Sequence, residues 1–394
     1  MTDVHGMTFF PFPPLVTTCV CFFFLVGMAQ ACSPGLGGDM QNADVNPGRL
    51  QAEVEALLHE RGGRGSWSVS VHALLDDHED GGRSSPLIVD INSNTLRTPA
   101  SNTKLLTSAG VWLRADDVTT TRLRTSVSAT IAHTEGHSAS TNGGPSTGKG
   151  PLIAELSILG GGDMSLTSDS VRALARQCAS DLHDMAAASG STHVHVSTVR
   201  VDSSVFGCGS TGRASGCNDD SWEVQDLDSA YGSRVDAFAA DLGIATLRCR
   251  QDRGAQPSGI ACKWDYESEA TRAVVSTPSK EEMGRPLSWS YSRQMGAYVS
   301  DGELMIGPGQ TESVAFQLPV FQGSVHAKSI FGDELRIQNI TLQQHDTGLM
   351  RTESMGIIGT IESASIYSLL QTQNLYSINQ YAEVTRNRLH TLRH

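Results

Sequence analysis

Hydrophobic and polar positions alternate along this chain in two rhythms, one helical and one extended. Leu50, Val54, Leu57 and Leu58 recur at helical spacing after a polar, Gly-rich linker that runs to about Gly48, which predicts an amphipathic helix. Trp67, Val69, Val71 and Ala73 then alternate with Ser66, Ser68, Ser70 and His72, the period-two pattern of a half-buried strand. Helical spacing returns at Leu105, Ala109, Trp112 and Leu113 and predicts a helix that buries this face. The stretch from Thr134 to Gly150 is rich in Gly, Ser and Thr without apolar periodicity and reads as a loop or disordered insert. From there to about Asp346 strands dominate, at Leu156 to Leu159, Val194 to Val201, Glu303 to Ile306 and Leu335 to Leu342. Gly160 to Asp163 lacks the Gly-Lys-Ser/Thr ending of a phosphate loop and reads as a tight turn.

The N-terminus carries a different signal. Leu15 to Met28 is an apolar run, and Ala29-Gln30-Ala31 places small residues as a signal peptidase requires, so residues 1–31 read as an export signal cleaved before Cys32. The segment ahead of the run holds Asp3 and neither Lys nor Arg. Two alternatives stay open: a retained short anchor, although the run is shorter than the roughly 20 residues that span a bilayer, and a lipid on Cys32. Membrane contact is expected only through this segment, if it stays uncleaved or becomes lipidated.

Length and charge narrow the class. A chain of 394 residues with 39% hydrophobic and 18% charged content fits a globular protein of more than one domain. A net charge of -13 without a run of Lys and Arg excludes nucleic acid as the expected partner. Beyond the leader, Cys178, Cys208, Cys217, Cys249 and Cys262 suit an oxidising compartment; Cys208 could pair with Cys217 and Cys249 with Cys262, with the connectivity open. No Cys-x-x-Cys or paired-His spacing points to zinc, and the histidines of His133 to His137 and His193 to His195 read as solvated, so no metal and no cofactor are expected.

Candidate chemistry lies in two short motifs. Ser101-Asn102-Thr103-Lys104 sets a hydroxyl and an amine three residues apart, one turn of a helix. A serine hydroxyl needs a base to become a nucleophile, and a lysine in a partly desolvated pocket can lose its proton and serve as one. Far downstream, Ser377-Ile378-Asn379 offers a second hydroxyl and a carboxamide at the end of a predicted helix. In this order the motifs match two of the three elements, Ser-x-x-Lys, Ser-x-Asn and Lys-Thr-Gly, that mark penicillin-binding proteins and class A β-lactamases.

The region between them makes the resemblance specific. Leu156 to Thr167, Val201 to Phe206, and the downstream Trp222, Asp226, Tyr231 and Gly232 resemble the D-alanyl-D-alanine carboxypeptidase/endopeptidase family, low-molecular-mass penicillin-binding proteins with a long insertion between their first two motifs. The resemblance runs from about Leu50 to Glu383. It implies a mixed α/β (α+β) fold: a β-lactamase/transpeptidase-like serine hydrolase domain, its first part at 49–125 and its second at 346–394, around a mostly-β inserted region at 126–345, with residues 32–48 as linker. It further implies a serine peptidase acting on peptidoglycan stem peptides through an acyl-enzyme and inhibited by β-lactams, in the periplasm or cell envelope. Ser101 takes the part of nucleophile, Lys104 that of base, Ser377 of proton relay and Asn379 of hydrogen-bond partner to the substrate amide. Asp202 and Phe206 would contact the peptide stem, the carboxylate pairing with the ammonium of a diamino acid; an equally open reading makes Asp202 a turn cap and Phe206 a core residue.

Two departures from the family pattern stand out. Ile378 occupies the middle of the second motif where Asp is usual, a change expected to alter local packing more than chemistry. Neither Lys-Thr-Gly nor Lys-Ser-Gly follows Asn379; Thr147-Gly148-Lys149-Gly150 has the wrong order and Lys328-Ser329-Ile330 lacks the glycine. The expectation is a transpeptidase domain incomplete at its C-terminus, lacking the strand that supplies an oxyanion-hole amide and binds the substrate carboxylate. Losing one such donor costs about 100- to 1000-fold in turnover. A truncated or catalytically dead member that binds peptidoglycan or β-lactam without turnover is the alternative expectation.

Overall fold

The computed structural model describes residues 46–61, 68–72, 87–95, 100–133, 150–206, 229–251, 260–268, 270–276, 285–292, 294–295, 297–304, 313–343 and 351–388. The leader, the Cys208/Cys217 pair, Trp222, Asp226 and nearly all of the Gly/Ser/Thr-rich stretch lie outside these residues. The chain divides into two compact units between Thr103 and Lys104.

Among the described residues the first unit holds a helix, α1 (Pro47–Arg61), and an antiparallel strand pair, β1 (Val69–His72) with β2 (Leu87–Ile91). Pro47 opens α1 with its φ already helical, and the Asn46 side chain caps it by accepting from the Arg49 amide at 3.1 Å. The expected linker therefore ends two residues before Gly48. Leu50, Val54 and Leu58 form a half-buried stripe while Leu57 stays exposed. β1 and β2 pair antiparallel, Val69 opposite Ile91, with Val89 fully buried. A short 3-10 turn, Ala100–Asn102, lies near the end of the unit and carries Ser101.

The second unit begins with α2 (Thr103–Arg114), whose first residue lies across the division, and then builds a five-stranded sheet in the order β12-β5-β4-β3-β13. Its strands are β3 (Arg122–His133), β4 (Leu152–Leu159), β5 (Val194–Asp202), β12 (Thr341–Leu342) and β13 (Arg351–Ser365). β4 and β5 run parallel and are joined by α3 (Ser168–Ser189); β3 is antiparallel to both β4 and β13. Thr167 caps α3 by accepting from the Ser170 amide, and its Val171, Leu174, Ala175, Cys178, Leu182 and Ala186 stripe buries against the sheet. The helix lies so close to β13 that a Cβ on Gly359 would stand 2.5 Å from the Cys178 Sγ. Burial there pushes the Cys178 thiol up to about 12, so it stays a neutral core group.

Three readings of the sequence change here. Leu335 ends a helix, α4 (Gly323–Ile337), rather than opening a strand; only Thr341 and Leu342 pair, with His195 and Val196. The two-residue steps from Leu335 to Ile337 and from Ile340 to Leu342 mimic a strand, but Ala327, Ile330, Phe331 and Leu335 are buried at helical spacing and that longer pattern wins. With helices of 22 and 15 residues packed on the sheet, this part of the insertion is α/β rather than mostly β. Finally, β13 pairs along the length of β3, so the sheet extends to Ser365, well past the expected boundary at 345.

Two smaller sheets complete the unit. β6 (Ile244–Gln251) lies between β7 (Ile260–Trp264) and β11 (Ser313–Pro319), and β10 (Ala297–Asp301) lies between β8 (Ala273–Val274) and β9 (Ser288–Ser292). Cys249 and Cys262 stand opposite each other on β6 and β7 and form a disulfide. Leu247, Trp264, Leu287, Tyr298, Leu318 and neighbouring side chains bury a common core between the sheets. The strand expected at Glu303 to Ile306 lies earlier, at Ala297–Asp301; Glu303 makes a single bridge to Pro286, and residues from 305 lie outside the described ones. Among the described residues no helix is long and apolar enough to cross a membrane, and no group of three or more His, Cys, Asp or Glu is placed to hold a metal ion.

Candidate active site

Two helices of the second unit bring the motifs together. β13 passes directly into α5 (Ile366–Tyr376), whose Ser365 cap accepts from the Ser368 amide, and α6 (Asn379–Arg388) follows two residues after α5 ends. Ser377 lies at that junction with φ 55° and ψ 40°, a left-handed conformation unusual for a residue with a side chain. Its amide and that of Ile378 both donate to the Gln373 carbonyl, which closes α5 and turns the Ser377 side chain back toward α2.

Lys104 meets it there. Its Nζ donates to Ser377 Oγ at 3.3 Å, joining the two motifs across 273 residues of sequence. Only 7% of Lys104 is exposed. This burial pushes the amine below the ordinary lysine value, while the Glu383 carboxylate pulls it back up. A lysine so held is shifted toward the neutral form that can accept a proton.

The face of α2 that packs inward is not the predicted one. Leu105, Leu106, Trp112 and Leu113 are exposed, and the helix buries Lys104 and Val111 instead, with Ser108 half-buried between them. Positions 104, 108 and 111 form their own stripe at helical spacing. A charged residue can occupy it because its neighbours are polar: Ser108 Oγ donates to the Lys104 carbonyl at 2.9 Å and bonds the Asn374 side chain, and Gln373 Nε2 donates to the same carbonyl at 3.2 Å. Trp112 makes an edge-to-face contact with Tyr367 of α5.

Asn379, the first residue of α6, is 8% exposed and donates from Nδ2 to the Tyr231 carbonyl at 3.3 Å. The next residue, Gln380, donates to Ala230 at 2.8 Å and to Ser233 Oγ at 2.6 Å. Together they fix the 3-10 turn Ala230–Gly232 beside the second motif. Ser101 lies in the 3-10 turn Ala100–Asn102 of the first unit and is half-buried.

The two stem-peptide candidates separate. Asp202 is exposed at the end of β5 and accepts from the Ser204 amide at 2.8 Å, an Asx cap of the turn that follows. Phe206 is 5% exposed and packs in a core with Val111, Met164, Ile366, Leu370 and Val384. The glycine run before it is threaded rather than turned: Gly160, Gly161 and Gly162 donate to the Asp202 carbonyl, Thr125 Oγ1 and the Ala237 carbonyl, and the turn begins only at Asp163. Gly162, at φ 71°, passes so close to Phe206 that a Cβ there would stand 2.7 Å from its ring.

Sequence reasoning missed Ser108, Gln373, Asn374 and Glu383. Gln373 precedes Ser377 by four residues, the spacing of facing side chains on a helix, and that is the one signal that could have drawn attention to it.

The sequence model of the D-Ala-D-Ala carboxypeptidase 3 (S13) family matches residues 79–391. The chain belongs to this family. Among solved structures it is similar to the crystal structure of penicillin binding protein 4 (dacB) from Haemophilus influenzae, at 17% identity and a TM-score of 0.52 over 77% of this chain and 60% of that one. A second crystal structure of that protein, complexed with a novel β-lactam, aligns at 15% identity and a TM-score of 0.47 over 76% of this chain and 57% of that one. The S13 chain described here thus spans about 60% of the length of that relative and shares its mixed α/β fold. Among curated proteins none matches by sequence.

Proposed function

We propose that this S13-family chain is a serine-type D-Ala-D-Ala carboxypeptidase/endopeptidase that acts on peptidoglycan stem peptides and is acylated by β-lactams. The observation that carries the reading is the Lys104 Nζ to Ser377 Oγ hydrogen bond, which joins the first and second motifs around a buried amine. In this reading the Ser101 Oγ bonds to the penultimate D-Ala carbonyl carbon and gives its proton to the neutral Lys104 amine. Ser377 passes that proton to the departing D-Ala nitrogen as the peptide bond breaks, and water then hydrolyses the ester. Asn379 hydrogen-bonds the substrate amide, and the exposed Asp202 carboxylate offers a partner for a diamino acid's ammonium. The reading places the chain in the cell envelope, with residues 1–31 as its export signal.

The alternative reading is binding of peptidoglycan or β-lactam without turnover. One experiment separates the two. A fluorescent penicillin is incubated with the chain and with Ser101→Ala, and D-Ala release is followed from a diacetylated Lys-D-Ala-D-Ala peptide. Label that disappears in Ser101→Ala, with D-Ala release, is the expected result. Label without release favours the binder, and label that survives Ser101→Ala removes Ser101 as nucleophile.

A further inference from the structure

Gln373 is fully buried, yet it carries a polar amide where a leucine or methionine would fill the same space. Buried amides cost stability unless their donors and acceptor are used. Here they are used on three pieces of the site at once. Nε2 donates to the Lys104 carbonyl at 3.2 Å and to Ser108 Oγ at 3.0 Å, both on α2. Oε1 faces Thr385 Oγ1 at 3.3 Å on α6, the helix that Asn379 opens, and shares that hydroxyl's one proton with the Tyr381 carbonyl. Its backbone carbonyl holds the amides of Ser377 and Ile378, which fixes the left-handed turn at Ser377. Such a backbone conformation persists when its surroundings over-determine it.

We infer that Gln373 is a positioning residue: its side-chain amide clamps the Lys104 helix to the helix that Asn379 opens and so sets the Lys104 amine against Ser377. The inference deepens the functional reading above and rests on it for the acylation step alone. It predicts that loss of the amide lets α2 slip, admits water to Lys104 and loosens the contact with Ser377. A displacement on the scale of an ångström in an acyl-transfer site costs roughly a hundredfold in rate.

The test uses the full chain with Gln373→Met and, separately, Thr385→Val. The pH midpoint of Lys104 modification by acetic anhydride is read by mass spectrometry, with Lys263 and Lys328 as internal controls, and acylation by fluorescent penicillin is timed in parallel. The expected result is a Lys104 midpoint that rises toward that of an ordinary lysine while the controls stay put, with acylation slowed roughly ten- to a hundredfold in Gln373→Met and less in Thr385→Val. The Lys104 midpoint decides: if both variants keep the parent's value, the clamp is overturned. Should Gln373→Met not fold, Thr385→Val alone decides by the same criterion. A parent that takes no penicillin while its Lys104 midpoint shifts in Gln373→Met keeps the clamp and overturns the functional reading. A parent labelled through Ser101 whose Lys104 midpoint is unmoved by either substitution does the reverse.

Discussion

Replacing Phe206 by Ala distinguishes a substrate contact from a core residue, because the two roles predict opposite readouts. Phe206 is 5% exposed and shares its core with Val111 of the Lys104 helix, with Ile366 and Leu370 of α5, and with Val384 of α6. Deleting a buried ring removes its transfer free energy and leaves a cavity that the rigid surroundings fill only in part, a loss of about 3–5 kcal/mol. The threaded Gly160–Gly162 segment limits relaxation on one side, since its amides are committed to Asp202, Thr125 and Ala237. For a unit of this size each kcal/mol lowers the melting temperature by about 2–4 °C, so Phe206→Ala should melt on the order of 10 °C below the parent. The assay is thermal unfolding followed by circular dichroism, beside the penicillin acylation rate of the still-folded protein at low temperature. An unchanged melting temperature with acylation or peptide turnover cut tenfold would refute the core assignment and return Phe206 to the substrate.

Further outcomes follow from the chemistry of the site and the disulfide. Acylation should rise with pH and level off above a midpoint below the ordinary lysine value, since burial favours the neutral Lys104 amine, and Glu383→Gln should move that midpoint lower by removing the carboxylate that opposes the shift; a stopped-flow pH series reads both. The sign for stability is the same: the native state sheds the Lys104 proton before the unfolded chain does, so unfolding free energy should increase as pH climbs from the folded-state value toward the unfolded one. The double substitution Cys249→Ser with Cys262→Ser opens a loop of sequence separation 13 and should cost about 3 kcal/mol in urea unfolding.

Much of this architecture was legible in the sequence because it rests on local patterns. Leu50, Val54 and Leu58 repeat at the helical period, Val69 and Val71 alternate, and Val194 to Val201 is β-branched enough to give a strand without tertiary help. The motifs Ser-x-x-Lys and Ser-x-Asn stand out in the sequence for another reason: in the proposed reading, acyl transfer limits which side chains can serve as nucleophile and base. Where tertiary contacts override local pattern, the reading failed. The apolar residues of α2 pointed to one face, and the helix buries another because Gln373, Asn374 and Ser377 supply hydrogen-bond partners that no local window contains. Leu335 looked extended for want of a longer window. Gln373 was missed because its four-residue spacing from Ser377 says nothing of its role until its partners, 269 residues upstream and 12 downstream, are known.

The long separation between the motifs does not weaken the site, and the sheet shows why. Arg122, the first residue of β3, pairs with Ser365, the last of β13, so the segment between the two strands leaves and returns at adjacent points. The start of α5 is then pinned to the loop behind α2, with the Ile366 amide donating to the Thr121 carbonyl at 2.9 Å and the Tyr367 amide to Val118 at 2.8 Å. Antiparallel pairing of β3 with β13 converts a segment of more than two hundred residues into a short tether, so most of the entropy of closing it is spent in forming the sheet rather than in bringing Lys104 to Ser377. Changes between β3 and β13 should therefore reach the Lys104–Ser377 contact chiefly through those two strands, and the helix pair gains its register from the sheet that separates its two halves in sequence.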